Sequence, residues 1–379
     1  MKAAFITTST PHDFYAWSGI NYSMQQAFRQ AGWEIHPIGG LKIPFKPLFR
    51  FRRYLNRLIF SRQYLLTREP VILRSYARQV SQALKKLDVD FVFSPGTIPI
   101  AYLETDLPVF FWTDAVFAAM VDYYPQYSSL HPSSVRHGNA MEQKALDRAR
   151  LALYSSEWAA RSAMQYYSVD PLKIQTVPLG INIAPDLARE ELQAILKKRT
   201  EGPVRLLFSG IDWDRKGGDI AVRTAEILHE SGIEVELHIV GTVVEGPVPE
   251  YVFVHGFLNR FDHGHMLKLD ALFRLSHFLI LPTRAECAAI VLAEASAYGV
   301  PGLTTDVGGN ATIVREGVNG YLFPPGSLPD AYANRIQKLL SDRKTYEKNA
   351  FSALEEYKSR LNWGKSAKTV TDLIRQNLQ

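Results

Sequence analysis

The stretch Leu281-Pro282-Thr283-Arg284-Ala285-Glu286-Cys287-Ala288-Ala289-Ile290-Val291-Leu292-Ala293-Glu294-Ala295 holds two carboxylates with seven residues between them. From Ala288 to Ala297 every residue except Glu294 is apolar or small. A carboxylate buried in such a helix is costly unless something pairs with it. A ligand rich in hydroxyls is one such partner. With Glu286 just before the helix and Glu294 inside it, a rise of ~1.5 Å per residue puts their Cα atoms roughly 12 Å apart at most. That is about the reach from the sugar to the ribose of a nucleotide sugar. One carboxylate would accept sugar hydroxyls and the other the ribose diol, with N–H groups near Ala288-Ala289-Ile290 between them. The competing explanation makes Glu286 an acid favoured by the helix dipole and Glu294 half of a structural ion pair. Spacing alone favours the second explanation.

A second segment bears on the choice. Leu206-Leu207-Phe208-Ser209-Gly210-Ile211-Asp212-Trp213-Asp214-Arg215-Lys216-Gly217-Gly218-Asp219 reads as a strand, a glycine-rich turn and a helix start. N–H groups at a helix N-terminus attract phosphate, and glycines permit close approach. Lys216 and Arg215 would add positive charge where a diphosphate gains negative charge. The same pattern also occurs as a plain surface connection.

These segments belong to a repeating alternation. Ala3 to Thr7, Trp33 to Ile38, Phe91 to Phe93, Val109 to Trp112, Ala152 to Tyr154 and Ile174 to Val177 read as strands, with segments of helical length between most of them. Tyr22 to Ala31 reads as a helix stopped by Gly32. After a polar helix, Leu187 to Lys198, the alternation restarts with strands at Val204 to Phe208, Val235 to Val240, Phe253-Val254 and Phe278 to Leu281. Helices are expected at Ile220 to Ser231, Leu267 to Leu275 and Ala288 to Tyr298, the last ended by Gly299 and Pro301. The pattern predicts an α/β chain of two tandem doubly wound, Rossmann-like domains facing across a cleft, spanning 1–183 and 184–360, with 361–379 returning to the first.

At 379 residues the chain suits two domains. Its single cysteine, Cys287, excludes an intramolecular disulfide and fits a reducing compartment. No run approaches the roughly 20 apolar residues of a membrane span, and the first apolar run is too short for a signal peptide, so a cytoplasmic protein is expected. The net charge of +5 conceals a block, 42–86, that carries +11, leaving −6 for the rest. Within it Phe51, Leu55, Leu58 and Leu65 are expected on one helical face, with Arg50, Arg53 and Arg57 on another. That basic amphipathic pattern suits an anionic membrane at the inner face or an acidic acceptor, and equally an ordinary helix with a solvated basic side. No nucleic-acid motif accompanies the charge.

Pro282-Thr283, Glu286, Glu294-Ala295, Gly299-Val300-Pro301, Gly308-Gly309, Gly317-Val318-Asn319-Gly320-Tyr321 and Pro324-Pro325-Gly326 together resemble glycosyltransferase family 4, retaining enzymes of the two-Rossmann GT-B fold. The Lys216-Gly217 turn and Val177-Pro178-Leu179-Gly180-Ile181-Asn182 match as well, and the first domain matches more weakly. The resemblance implies transfer of a sugar from a nucleotide diphosphate sugar to an acceptor hydroxyl on a glycan, a lipid-linked saccharide or a small molecule, with no other cofactor. It places Glu286 by the donor sugar, Glu294 by the ribose, Lys216 on the diphosphate, and Gly19 of Trp17-Ser18-Gly19-Ile20 opposite the phosphate. Gly210, Arg215, Ala288, Ala289 and Ile290 complete the donor set. The family's Arg after the glycine equivalent to Gly210 is here Ile211, which makes Arg215 the candidate substitute. Glycines that often follow the first Glu are replaced by Cys287-Ala288-Ala289. Asp114 stands where the family often has a His that touches the sugar, so it is a candidate beside Glu286 and Lys216 for catalysis, against a role as a helix cap.

Ser155 and Ser156, before Glu157-Trp158, read as caps, and Cys287 as packing. No metal-binding Asp-x-Asp signature is read, nor any His or Cys cluster for zinc, so metal dependence is not expected. Two other classes compete with the transferase: a nucleotide-sugar epimerase of related fold, and a nucleotide-sugar-binding module without activity.

Overall fold

Strands buried on both faces are continuous apolar runs, because helices cover both sides of a parallel sheet. Phe278–Leu281 is the plainest case, with all four residues buried. The computed structural model describes residues 1–11, 13, 16–183 and 185–378, without the side chains of Ala16, Ser18, Arg52, Leu55 and Arg57. Ala184 and Gln379, named at the expected domain ends, and the side chains of Leu55 and Arg57 therefore lie outside the described residues. The chain divides into two units, Met1–Asn182 with Trp363–Gln379, and Ile183–Asn362.

The first unit runs β1 (Lys2–Ile6), α1 (Ile20–Gln30), β2 (Glu34–Ile38), α2 (Lys46–Phe60), α3 (Pro70–Leu84), β3 (Phe91–Ser94), β4 (Val109–Thr113), α4 (Phe117–Met120), α5 (Pro132–Arg148), β5 (Leu151–Tyr154), α6 (Glu157–Tyr166) and β6 (Ile174–Thr176). Its six parallel strands lie in the order β2-β1-β3-β4-β5-β6. The second unit runs α7 (Arg189–Arg199), β7 (Val204–Ser209), α8 (Trp213–Lys216), α9 (Gly218–Glu230), β8 (Val235–Val240), β9 (Val252–Val254), α10 (His263–Leu275), β10 (Phe278–Leu281), α11 (Ile290–Ala297), β11 (Gly302–Thr305), α12 (Asn310–Ile313), β12 (Gly320–Phe323), α13 (Pro329–Ser341) and α14 (Arg343–Arg360). The last helix, α15 (Trp363–Leu378), belongs to the first unit. There Thr371 accepts a hydrogen bond from the Trp33 indole at 2.9 Å, Ser366 donates to the Pro178 carbonyl, and Trp363 packs edge-on against Trp112.

The second sheet has the order β12-β11-β10-β7-β8-β9. Strand order reverses between β7 and β10, which pair directly through Phe278 with Leu206 and Leu279 with Leu207. In open α/β sheets, ligands bind beyond the carboxyl ends of strands at such a reversal. The loops leaving these two strands carry Lys216 and Glu286.

Several details depart from the sequence expectations. β11 and β12 are strands that the apolar runs did not announce. α11 starts at Ile290, not Ala288, and ends before Tyr298. Leu65 does not share the α2 face, because α2 stops at Phe60. Arg199, one residue past the expected polar helix and the last of α7, is buried. Its guanidinium donates to the carbonyls of Phe273 and Arg274 at the end of α10, and to those of Tyr298 and Gly299 past the end of α11. One side chain thus satisfies the open carbonyl ends of two helices, and holds the far end of the helix that bears Glu294.

Candidate functional site

Gly217 begins the construction of the site. It adopts φ +75°, and a Cβ there would lie 2.1 Å from the Pro282 carbonyl oxygen. Only glycine permits that approach of the β7 loop to the end of β10. The buried Thr283 hydroxyl then donates to the Arg215 carbonyl at 3.0 Å, and the Arg284 N–H donates to the same oxygen at 2.7 Å. Arg284 also forks onto Asp219 in the first turn of α9. These bonds lock α8 against the segment that carries Glu286. The glycines of the turn therefore serve packing first: Gly218 has the Trp213 ring against it, and Gly210 leaves room for the Lys216 stem, whose Cγ would be 2.7 Å from a Cβ at Gly210.

Three charged side chains converge there. The Lys216 ammonium donates to Oε2 of Glu286, and Arg215 Nη1 donates to the same oxygen at 3.3 Å and to the Ala285 carbonyl at 2.9 Å. Arg215 Nε reaches Asp212 Oδ2 at 3.2 Å, and the Asp212 carboxylate also caps α8. Glu286 is 8% exposed. Ile211, by contrast, is 69% exposed. Arg215 therefore reaches the carboxylate from four residues beyond the position where an arginine is missing.

Past Glu286 the chain enters α11. Ala289 is its cap residue and offers no side-chain hydrogen bond to the first turn, so the N–H groups beginning at Ile290 make a positive helix end. The helix is apolar on all sides and is buried accordingly. Glu294 is 0% exposed within it. Its carboxylate is held by Arg260, from the loop after β9: Nη1 donates to Oε1 and Nη2 to Oε2, the latter at 3.0 Å. Cys287 is buried. Farther along, the Asn319 amide donates to Ser296 on α11 and to the Ile313 carbonyl, and its oxygen accepts from the Arg315 N–H, so the Gly317-Val318-Asn319-Gly320 motif braces the helix.

The remaining candidates lie in the first unit. Gly19 caps α1 at φ +85°, after a short 3-10 turn, Ala16–Gly19. Asp114 follows β4 and accepts from the Trp17 indole N–H at 3.3 Å. It is not the cap of α4, whose cap residue is Val116. Ser156 does cap α6, accepting from the Ala159 N–H at 3.2 Å. Ser155 does not, and its Oγ finds no hydrogen-bond partner among the described residues.

Glu142, Thr97, Tyr154 and Arg68 form a buried polar group that the sequence reading missed. Glu142 of α5 accepts from the Thr97 hydroxyl at 2.9 Å, and its other oxygen, the Tyr154 hydroxyl and Arg68 Nε have no partner among the described residues. Burial pushes the Glu142 carboxyl up to about 7, against the opposing charge of Arg68. The available signal was an acid on the apolar stripe of α5 that includes Gly138, Met141 and Ala145. Arg260 had no comparable signal, being a single arginine in a loop.

Two Asp-x-Asp triplets are present, contrary to the sequence reading: Asp88-Val89-Asp90 and Asp212-Trp213-Asp214. In the first, both aspartates bind Lys2, Asp88 through the ammonium and Asp90 through the backbone N–H. In the second, Asp212 serves α8 and Arg215. Among the described residues no three His, Cys, Asp or Glu side chains gather as a metal site.

Residues 203–342, most of the second unit, match the family described as Glycosyl transferases group 1. That stretch is thus similar to the group 1 glycosyl transferases. Among similar proteins is a D-inositol 3-phosphate glycosyltransferase of Nocardiopsis dassonvillei, 24% identical over 251 residues, covering 62% of this chain and 57% of that protein. A protein of the same name from Xylanimonas cellulosilytica is 26% identical over 257 residues, covering 62% and 59%. The match thus spans little more than half the length of these relatives. Among solved structures, Anabaena HepE in complex with UDP has a TM-score of 0.68 at 16% identity, covering 99% of this chain and 100% of that one. Sucrose-phosphate synthase from Thermosynechococcus elongatus has a TM-score of 0.70 at 16% identity, covering 99% and 98%. The fold is therefore GT-B, with one parallel six-stranded sheet in each unit.

Proposed function

We propose that the chain is a retaining glycosyltransferase that moves a sugar from a nucleotide diphosphate sugar to an acceptor hydroxyl on a glycan, a lipid-linked saccharide or a small molecule. The observation that carries this reading is the meeting of Lys216, Arg215 and Glu286 at the strand-order reversal of the second sheet. Two cations beside an uncapped helix end suit a diphosphate, and a carboxylate held among them suits sugar hydroxyls. The match of residues 203–342 to the group 1 glycosyl transferases supports the same reading.

In this mechanism the acceptor oxygen bonds to the anomeric carbon on the face from which the diphosphate leaves. The bond from that carbon to the phosphate oxygen breaks, and the departing phosphate takes the acceptor proton. Lys216 and Arg215 stabilise the charge that grows on the leaving group, Arg215 standing in for the arginine missing at Ile211. Glu286 orients the sugar, and Glu294 accepts the ribose diol. The N–H groups from Ala288 to Ile290 face the diphosphate together with the Gly210 turn. The nucleotide sugar is the only co-substrate, and neither metal nor cofactor is needed. The comparisons lend no support to the epimerase or to the inactive binding module.

The first unit adds a membrane contact to the proposal. Phe49 seats α2 against Ile72 and Tyr76 of α3. Away from that anchor Leu48, Phe51, Tyr54, Leu58 and Ile59 are exposed, and Lys46, Arg50 and Arg53 are exposed beside them. A helix with bare apolar and basic faces suits an anionic lipid surface, here the cytoplasmic face. Among the described residues no helix is long and apolar enough to cross a membrane.

The test is a panel of UDP-, GDP- and ADP-sugars read by thermal shift and slow hydrolysis, with Glu286→Ala as control. One donor class is expected to raise Tm and to hydrolyse only with the wild type. Failure of every nucleotide sugar to bind would overturn the proposal.

A further inference from the structure

The Arg260 guanidinium spans both oxygens of the Glu294 carboxylate, and Glu294 has no exposed surface. Arg260 itself is one-third exposed, on the loop between β9 and α10. A ribose cannot reach Glu294 while that fork is closed, because both oxygens are engaged and neither faces solvent.

We propose that Arg260 is a displaceable latch over the ribose carboxylate, and that the latch makes the site selective for a nucleotide with both ribose hydroxyls. This rests on the reading of Glu294 as the ribose acceptor. A buried carboxylate that loses its partner is strongly disfavoured. The fork can therefore open only to a ligand that returns a donor to each oxygen. A cis-diol presents two O–H donors side by side, matching the two N–H donors it replaces. A 2′-deoxy nucleotide brings one and leaves one oxygen unsatisfied. Sites built around such hydrogen bonds reject the analogue that lacks the hydroxyl. Opening the latch draws on binding free energy, so the closed fork lowers apparent affinity by the fraction of molecules that hold it. Arg260 is a positioning residue in this scheme: it acts through Glu294 and touches no reacting atom.

The test is isothermal titration of the full chain. Wild type is titrated with UDP, ADP and GDP, and then with the 2′-deoxy form of the tightest of them. Arg260→Ala, Arg260→Lys and Glu294→Gln are titrated with the same pair. Wild type is expected to lose about 10-fold or more on the 2′-deoxy form. Arg260→Ala is expected to bind the ribonucleotide about 10-fold tighter, the factor regained if ~90% of molecules hold the latch closed. Arg260→Lys, which supplies a point charge and no fork, should fall between the two and keeps the test open if the alanine variant does not fold. Unchanged or weaker affinity in both Arg260 variants, with Glu294→Gln weakened, would overturn the latch and leave the donor reading standing. If no diphosphate binds wild type, or if Glu294→Gln binds as wild type does, the donor reading fails and the latch fails with it.

Discussion

The Lys216 ammonium and the Glu286 carboxylate form an ion pair across the strand-order reversal of the second sheet, one from the loop after β7 and the other from the loop after β10. The pair joins residues 70 positions apart, and the glycine at 217 that lets the two loops touch sits beside the lysine. Glu286→Ala is expected to lower sugar transfer about 100-fold or more, the scale seen when an oriented charged contact is removed from a reacting centre. Circular dichroism and Tm should stay near wild type, because the loop is still held by Thr283 and Arg284. Transfer at the wild-type rate would remove Glu286 from the site.

Arg215 and Ile211 make a separable pair. Arg215→Ala should slow transfer about 10- to 100-fold through weaker stabilisation of the leaving diphosphate. Because Ile211 is exposed, Ile211→Arg should be tolerated structurally. Placed on the Arg215→Ala background, it should restore part of the lost rate. Rate measurements on the three variants check this, and no recovery in the double variant would count against functional substitution between the two positions.

The two units should respond oppositely to acid. In the first, the folded Glu142 carboxyl sits at about 7 against an ordinary value of 4.5. The folded state therefore holds an extra proton between these values, and stability is lost as pH rises from about 4.5 to about 7, on the order of 3 kcal/mol for the full shift. In the second, burial and the Arg199 charge lower His277 to about 4. There the unfolded state binds the extra proton, so stability is lost as pH falls from about 6.5 to about 4. Calorimetry from pH 7.5 to 5 should show the second unit's transition falling relative to the first. Glu142→Gln should flatten the first unit's dependence, and an unchanged slope in that variant would refute the assignment.

The exposed face of α2 predicts binding to vesicles. Phe51→Asp with Leu58→Asp should abolish sedimentation with vesicles rich in anionic lipid, while leaving sugar transfer to a soluble acceptor unchanged. Raised salt should weaken wild-type binding, since Lys46, Arg50 and Arg53 contribute at long range. Equal sedimentation of wild type with neutral and anionic vesicles would contradict the role given to those charges.

The alternation of short apolar runs with helical segments made the two-sheet fold legible, because parallel strands buried on both faces leave that trace. β11 and β12 left less of it. Gly320 opens β12 because a Cβ there would lie 2.2 Å from the Gly302 carbonyl, yet in a sequence glycine reads as punctuation. Lys216 and Glu286, singled out separately for the diphosphate and the sugar, meet directly in the fold, with Arg215 and Gly210 against them. Glu294 was legible as a buried acid, but its partner was not. The Arg260 contact is made by a loop approaching from another strand, and no local periodicity encodes it. Asp114 was weighed as a site residue against a cap, and the cap alternative does not hold for α4, which is capped at Val116, while the side chain reaches Trp17.

The backbone leaves the first unit through Leu179-Gly180-Ile181 and comes back at Trp363, and these two passages touch: a Cβ on Gly180 would stand 2.4 Å from the Trp363 backbone nitrogen. In topological terms residues 183–362 are an insert with a single doorway. A cut at both sides of that doorway removes a whole sheet and leaves two ends already in contact. An exchange of residues 183–362 between relatives would therefore have the glycine at 180 and the tryptophan at 363 to keep in register.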